Sequence, residues 1–216
     1  MSFANKNILK ALKNVKATAK KRNFTQAIEL VISLQDIDPK KAENRISEQV
    51  ELPYALGKET KICVIASGEM ALKARKADAD LVIERDDLGA LMGDKKKQKA
   101  LAKAYAFFIA EAPLMPLVGR SLGSVLGPRG KMPTPVPPNA DIEDQIKRHR
   151  KKVRLRMRTQ PILQCRVGTE DMADEETVEN IQAVVQTVVR KLKKGVRNIR
   201  SIHLKATMSP PVKIRK

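Results

Sequence analysis

The sequence predicts an α+β domain formed by both chain ends, interrupted by an inserted α/β domain with a Rossmann-like parallel sheet. Apolar and polar residues alternate near both ends, as in strands with one buried face. Ile28, Leu30, Ile32 and Leu34 oppose Ala27, Glu29, Val31 and Ser33, and Val153, Leu155 and Met157 oppose Lys152, Arg154, Arg156 and Arg158. Between these stretches the runs KICVIA at 61–66, DLVIE at 80–84 and AFFIA at 106–110 are almost continuously apolar. Strands buried on both faces read that way, and these alternate with helical patterns. The change of character and its reversal place the boundaries. Residues 1–60 and 153–216 form the first domain, 61–152 form the insert, and the hinge crossings fall near 53–60 and 150–153.

Taken in order, residues 5–20 put Ile8, Leu9, Leu12, Val15 and Ala19 on one helical face. Strand 26–34 follows, then a polar turn at 35–44 around Pro39, then a strand at 45–52 that ends at Pro53. Beyond the Gly57 turn, the insert reads as strand 61–66, helix 69–77, strand 80–84, Lys-rich helix 95–104 and strand 106–110. A helix near 113–122 and a Gly/Pro-rich loop at 127–139 complete it. Strand 152–158 then turns at Thr159 and Gln160, as a hairpin, into strand 161–167. Helix 174–194 carries Val178, Ile181, Val184, Val185, Val188, Val189 and Leu192 as one stripe. Acids at its start and bases at its end suit the helix dipole, and Gly195 stops it. In the last strand, 199–207, Ile202, Leu204 and Ala206 face the core, while Ser201, His203, Lys205 and Thr207 form an outer row.

Lys and Arg number 43 against 24 Asp and Glu, a net charge of +19. Such an excess works against compactness and suits a polyanionic partner, either nucleic acid or an acidic membrane surface. It is concentrated: residues 147–158 hold eight bases and no acid, and residues 190–205 hold seven and no acid. Two such runs together favour nucleic acid over a merely solvated surface. Aromatic residues are only 3% and Trp is absent, so bases of a single strand have few platforms to stack on. A folded RNA, read through backbone and shape, fits better. The most apolar stretch, 104–118, is broken by Glu111, Pro113 and Pro116, and MSFANKNILK has no apolar signal core. A cytoplasmic protein without a membrane partner is expected. Cys63 and Cys165 lie in apolar runs as free buried thiols, which fits a reducing compartment. Together with His149 and His203 they show no metal-ligand spacing, so no metal is expected.

The run GRSLGSVLGPRGKMP at 119–133 raises the question of a phosphate-cradling loop. A P-loop would need Gly at 125 and Ser or Thr at 132, where Val125 and Met132 stand. The first strand of the insert leads into IASGEMALK, with Gly68 alone, so the dinucleotide fingerprint is absent too. The run reads as a rigid surface turn with two exposed cations, Arg129 and Lys131. The acidic pairs Asp86/Asp87 and Glu175/Glu176 belong at helix starts, and His203 has no acid near it in sequence. No catalytic residue, no cofactor and no enzymatic activity are expected. The competing reading, a nucleotide-dependent enzyme built on the insert, rests only on the parallel-sheet pattern and the Gly-rich run.

The segment VGRSLGSVLGPRGKMPTP at 118–135 resembles the signature of the ribosomal protein L-one family, the large-subunit stalk proteins. The resemblance extends to RNFTQAIEL at 22–30, ENRISEQVELP at 43–53, ENIQAVV at 179–185 and KATMSPPVKIRK at 205–216, and it has the look of the archaeal-type branch. It implies a protein whose second domain is inserted into its first. It implies binding to the stalk region of large-subunit ribosomal RNA within the large ribosomal subunit, help in releasing exit-site transfer RNA, and repression of the protein's own messenger RNA. It further implies a monomer when free and a cytoplasmic, ribosomal location. Residue by residue, Phe24 matches the RNA-facing aromatic at the start of the first strand, with Glu29 following. Ser201, Thr207 and Met208 match an RNA-contacting triad, Met208 acting from the strand end. The family usually has Gly where Ser209 stands. Arg166 and Lys205 join the expected RNA-binding set, and Arg129 and Lys131 are expected as a secondary RNA contact.

Overall fold

The computed structural model describes residues 4–39, 41, 44–57 and 60–215. The chain divides into two compact units, Met1–Lys58 with Lys151–Lys216, and Glu59–Arg150. Of the crossing expected near 53–60, residues 58 and 59 lie outside the described residues.

The first unit is built on a four-stranded antiparallel sheet. Its strands are β1 (Ala27–Leu34), β8 (Ile162–Thr169), β9 (Ile199–Ala206) and β10 (Val212–Ile214), in the order β10-β9-β1-β8. Strict alternation makes β1 half-buried, with Ile28, Leu30, Ile32 and Leu34 inside, as the sequence pattern predicts. Helices α1 (Asn5–Thr18) and α7 (Asp174–Lys191) contribute Ile8, Leu12 and Val15, and Val178, Ile181, Val184 and Val188, to the same core. Lys16 in the last turn of α1 pairs with Asp174 in the first turn of α7 at 2.6 Å. An acid at a helix start and a base at a helix end each complement their helix dipole.

Strands β2 (Ser47–Glu51) and β7 (Lys152–Arg156) form a separate antiparallel ribbon that turns Val50, Val153 and Leu155 into that core. The hairpin expected between strands 152–158 and 161–167 is therefore corrected. The partner of β7 is β2, whereas β8 pairs with β1. Pro161, which lacks an N–H, stands at the junction, and its carbonyl accepts from Leu34 at 2.8 Å instead of extending a hairpin ladder. Strand β10 has no counterpart among the strands that the sequence pattern predicts. It is three residues long, too short for alternation to register.

The second unit is a parallel sheet of β3 (Ile62–Ile65), β4 (Leu81–Ile83), β5 (Phe107–Glu111) and β6 (Thr134–Val136), in the order β4-β3-β5-β6. Side chains of β3 alternate between two cores. Ile62 and Val64 pack with α2 (Gly68–Lys76) and α6 (Ile142–Arg150), while Cys63 and Ile65 pack with α3 (Arg85–Leu91), α4 (Lys95–Ala104) and α5 (Met115–Arg129). The sheet is thus covered on both faces, which explains its continuously apolar strands.

The loop expected at 127–139 is also corrected. Helix α5 runs through the Gly-rich run to Arg129, and β6 follows. Val118, Leu122 and Leu126 recur every four residues and are buried, which is the helical signal within that run. Gly119, Gly123 and Gly127 share the same spacing, and a Cβ at any of them would meet nothing within 4 Å. Gly130 ends the helix at φ 66°, and its N–H bonds back to the Gly127 carbonyl at 2.9 Å. A side chain with a Cβ would be strained there.

A candidate nucleic-acid interface on the antiparallel sheet

Because α1 and α7 cover one face of the antiparallel sheet, its other face presents the polar rows of β9, β1 and β8. Lys205 stands opposite Glu29, and Glu29 opposite Arg166. The Glu29 carboxylate thus lies between two cations, 3.7 Å from the Lys205 ammonium. One step along, Lys213, His203, Val31 and Gln164 form a second row across four strands. Ser201 pairs with Ser33 in a third. A bulge between Ile28 and Glu29 leaves Val167 as the extra residue of β8, so Val167 reaches the core while Arg166 keeps the outer face. Partial burial lowers the pKa of Arg166 from its ordinary value, yet a guanidinium stays charged at neutral pH.

Strand β9 ends at Ala206, so Thr207 opens a turn instead of ending the strand. The Thr207 hydroxyl accepts from the Ala27 N–H at 3.1 Å and donates to the Ala27 carbonyl at 3.4 Å, binding the turn to the start of β1. Met208 projects outward and is 61% exposed. Ser209, in the place where the resemblance has Gly, takes no positive φ. Its hydroxyl accepts from the Ala206 N–H at 3.0 Å, and its N–H bonds the Ala206 carbonyl at 3.1 Å. The Ser209 side chain therefore folds back onto its own turn. Phe24 does not start the first strand; it precedes β1 by three residues and is 50% exposed.

The organising residue of this end is Gln26. It is 1% exposed. Its side-chain amide donates to the Lys20 carbonyl at 3.0 Å and to Glu170 Oε2 at 3.1 Å, and its Oε1 accepts from the Met208 N–H at 3.3 Å. Its backbone N–H bonds Glu170 Oε1 at 2.9 Å, and its carbonyl accepts from the Glu170 N–H at 3.0 Å. One side chain thereby joins the chain after α1, the chain after β8 and the turn after β9. A lone Gln before a strand carries no sequence signal for this role.

Phe24, Tyr54, Arg166, Thr169, Asp171, Glu176 and Thr207 line a depression of about 880 Å³ beside the turn. Buried Asn180 fixes one wall. Its amide bonds the Tyr54 and Val167 carbonyls, and its oxygen accepts from the Tyr54 N–H at 3.0 Å. The charge of Glu179 beside it holds the Tyr54 hydroxyl above its usual pKa. Phe24, Glu29, Arg166, Ser201, Lys205, Thr207, Met208 and Ser209 thus all lie on the outer face of this sheet or at its β9 end.

Arg129 and Lys131 belong to the other unit. The Lys131 ammonium donates to the Ala102 and Tyr105 carbonyls at 2.8 and 2.6 Å, closing the C-terminal end of α4. Arg129 is exposed, and its guanidinium lies 3.5 Å from the Lys99 carbonyl. At the carboxyl ends of β3 and β5, where a parallel sheet of this order would take a ligand, Glu111 Oε2 accepts from the N–H and hydroxyl of Ser67 at 3.0 and 2.8 Å. The protein's own carboxylate occupies the N-terminus of α2, which leaves the nucleotide reading of the insert without support. No group of three or more metal-ligating side chains occurs among the described residues, and no helix there is long and apolar enough to cross a membrane. Burial pushes the thiols of Cys63 and Cys165 up to about 12, and both are free.

The model of the ribosomal protein L1p/L10e family matches residues 13–210. The chain is 48% identical over 207 residues to the large ribosomal subunit protein uL1 of Methanothermobacter thermautotrophicus, covering 96% of this chain and 98% of that one. It is 46% identical over 215 residues to the protein of the same name from Pyrococcus horikoshii, covering 99% and 98%. With the one from Methanocaldococcus jannaschii it shares 46% over 209 residues, covering 97% and 95%.

Proposed function

The chain belongs to the ribosomal protein L1p/L10e family and is not an enzyme, and on that footing we propose that it is an RNA-binding protein of the large ribosomal subunit. The two units act as two domains. The domain formed by both chain ends binds the stalk region of large-subunit ribosomal RNA through Phe24, Glu29, Arg166, Ser201, Lys205, Thr207, Met208 and Ser209. The same surface binds the protein's own messenger RNA and represses its translation. Arg129 and Lys131 of the inserted domain make a secondary RNA contact, and the protein assists release of exit-site transfer RNA. The free protein is a cytoplasmic monomer.

One observation carries this reading: the exposed Met208 turn is held in a fixed shape by a fully buried glutamine, at the end of an open, cationic sheet face. Rigid presentation of hydroxyl, ammonium and apolar groups suits ribose hydroxyls, phosphates and base faces of an RNA that is already folded. No step of bond chemistry is needed. A fragment of the stalk ribosomal RNA should bind with affinity that falls as salt rises, by a log–log slope of about 0.7–0.9 per phosphate neutralised. Because one surface serves both RNAs, that fragment should displace the messenger RNA leader. A flat salt response, or simultaneous binding of the two RNAs, would refute the reading.

A further inference from the structure

The acid-free run at 190–200 lies at the other end of β9 from the Met208 turn, about 23 Å away at ~3.3 Å per residue. Like that turn, it is held by a buried side-chain amide. Asn198, 3% exposed, accepts from the Lys194 N–H at 2.9 Å and donates to the Gln35 carbonyl at 3.1 Å. The Gln35 N–H bonds the Asn198 carbonyl at 2.8 Å, and the Gln35 side-chain amide bonds the Arg197 carbonyl at 2.9 Å. Gly195, at φ 55°, makes the reversal possible. Lys191 pairs with Glu48 at 2.8 Å, and Lys194 lies 3.7 Å from Asp36. Arg197 and Arg200 are exposed and have no acidic partner among the described residues. Lys191 and Lys194 thus serve internal pairs, while Arg197 and Arg200, whose planar forks match phosphate oxygens two at a time, point to solvent.

Two further features give the surface a direction. All six acids of residues 154–216 fall within 170–179, at the Thr207 end of the unit. Of the acids at the other end, Glu48 and Asp36 face Lys191 and Lys194, not Arg197 or Arg200. The outer row of β9 joins the two ends through Thr207, Lys205, His203 and Ser201, with Lys213 beside His203. Arg200 enters this face at a register shift of the strand, since Ser33 pairs with Ser201 and Leu34 with Ile199.

Resting on the proposed function, we infer that Arg197 and Arg200 form a second RNA contact. An RNA seated at the Met208 turn runs along β9, and the phosphodiester backbone of its next helical segment is held at the far end of the sheet. The second contact adds affinity and fixes the direction in which the RNA leaves the protein, without reading sequence.

Two stalk ribosomal RNA fragments test this: the minimal fragment that the protein protects, and one longer by a helical turn at each end. The unaltered protein should bind the longer RNA more tightly and with a steeper salt dependence. The R197Q/R200Q double variant should lose that advantage, its log–log slope on the longer RNA falling by about 1.4–1.8, the value for two phosphates, while the short RNA binds as before. K191Q removes a cation already paired and should leave both affinities in place. Equal weakening of both RNAs by R197Q/R200Q, or an equal loss from K191Q, would overturn the inference. Tight binding with no dependence on RNA length would overturn it alone. Failure of the unaltered protein to bind either RNA would overturn the proposed function with it.

Discussion

Replacing Gln26 by leucine should loosen the Met208 turn and separate folding from recognition. The substitution keeps the backbone bonds between Gln26 and Glu170 but removes three side-chain bonds, to the Lys20 carbonyl, Glu170 Oε2 and the Met208 N–H. The bond to the Glu170 carboxylate is charge-assisted and worth about 1.5–3 kcal/mol, the other two about 1 kcal/mol each. Water can reach the exposed Lys20 and Met208 positions once the amide is gone, which offsets part of the loss. A net destabilisation of about 2–4 kcal/mol follows, which lowers the unfolding midpoint of this unit by on the order of 10 °C. Urea and thermal unfolding followed by circular dichroism would measure it. RNA affinity, measured where the variant is still fully folded, should fall as well, because the turn no longer sits in its bound shape before contact. Unchanged stability would show that the buried amide does not hold the three chain segments together. Lost stability with full RNA affinity would show that the turn needs no such support.

Met208→Ala should leave stability within about 0.5 kcal/mol, as expected of an exposed side chain, yet weaken stalk RNA binding about five- to tenfold by removing apolar contact; filter binding beside a melting curve separates the two effects. Lys131→Met should destabilise the Glu59–Arg150 unit by about 2 kcal/mol through loss of the charged cap on α4, measurable by urea unfolding, while Arg129→Gln should not. Between about pH 9 and 12 the folded protein should lose stability as pH rises. The unfolded state releases the thiol protons of Cys63 and Cys165 from about 9, whereas the folded state holds them to about 12. Urea midpoints across that range should fall less steeply for Cys63→Ala.

Alternation and continuous apolar runs made the two sheet types legible, because the period of burial is written directly into β1 and β3. What could not be read from the sequence was partnership. Nothing in residues 152–169 says that β7 joins β2 while β8 joins β1, since both are antiparallel strands with apolar inner faces. The Gly-rich run hid a helix because three glycines and Pro128 outweighed Val118, Leu122 and Leu126 in the reading, although the four-residue spacing was present. Likewise α6 was lost behind its charge, four of its nine residues being basic or His at the last turn. At the interface, parity placed Ser201, His203 and Lys205 on one outer row, and the row is there. Gln26, Asn180 and Asn198 leave no mark in the sequence because each bonds partners far along the chain: Gln26 to Glu170 and Met208, Asn180 to Tyr54, Asn198 to Gln35.

Strand β1, one of the two inner strands of the antiparallel sheet, comes from the first 34 residues, whereas both its neighbours come from residues 162–206. During synthesis β1 therefore waits for β8 to cover one edge, and its other edge stays unpaired until residue 206 has been made. A chain cut before residue 199 lacks β9, and with it the outer row of Ser201, His203 and Lys205 and the turn at Met208.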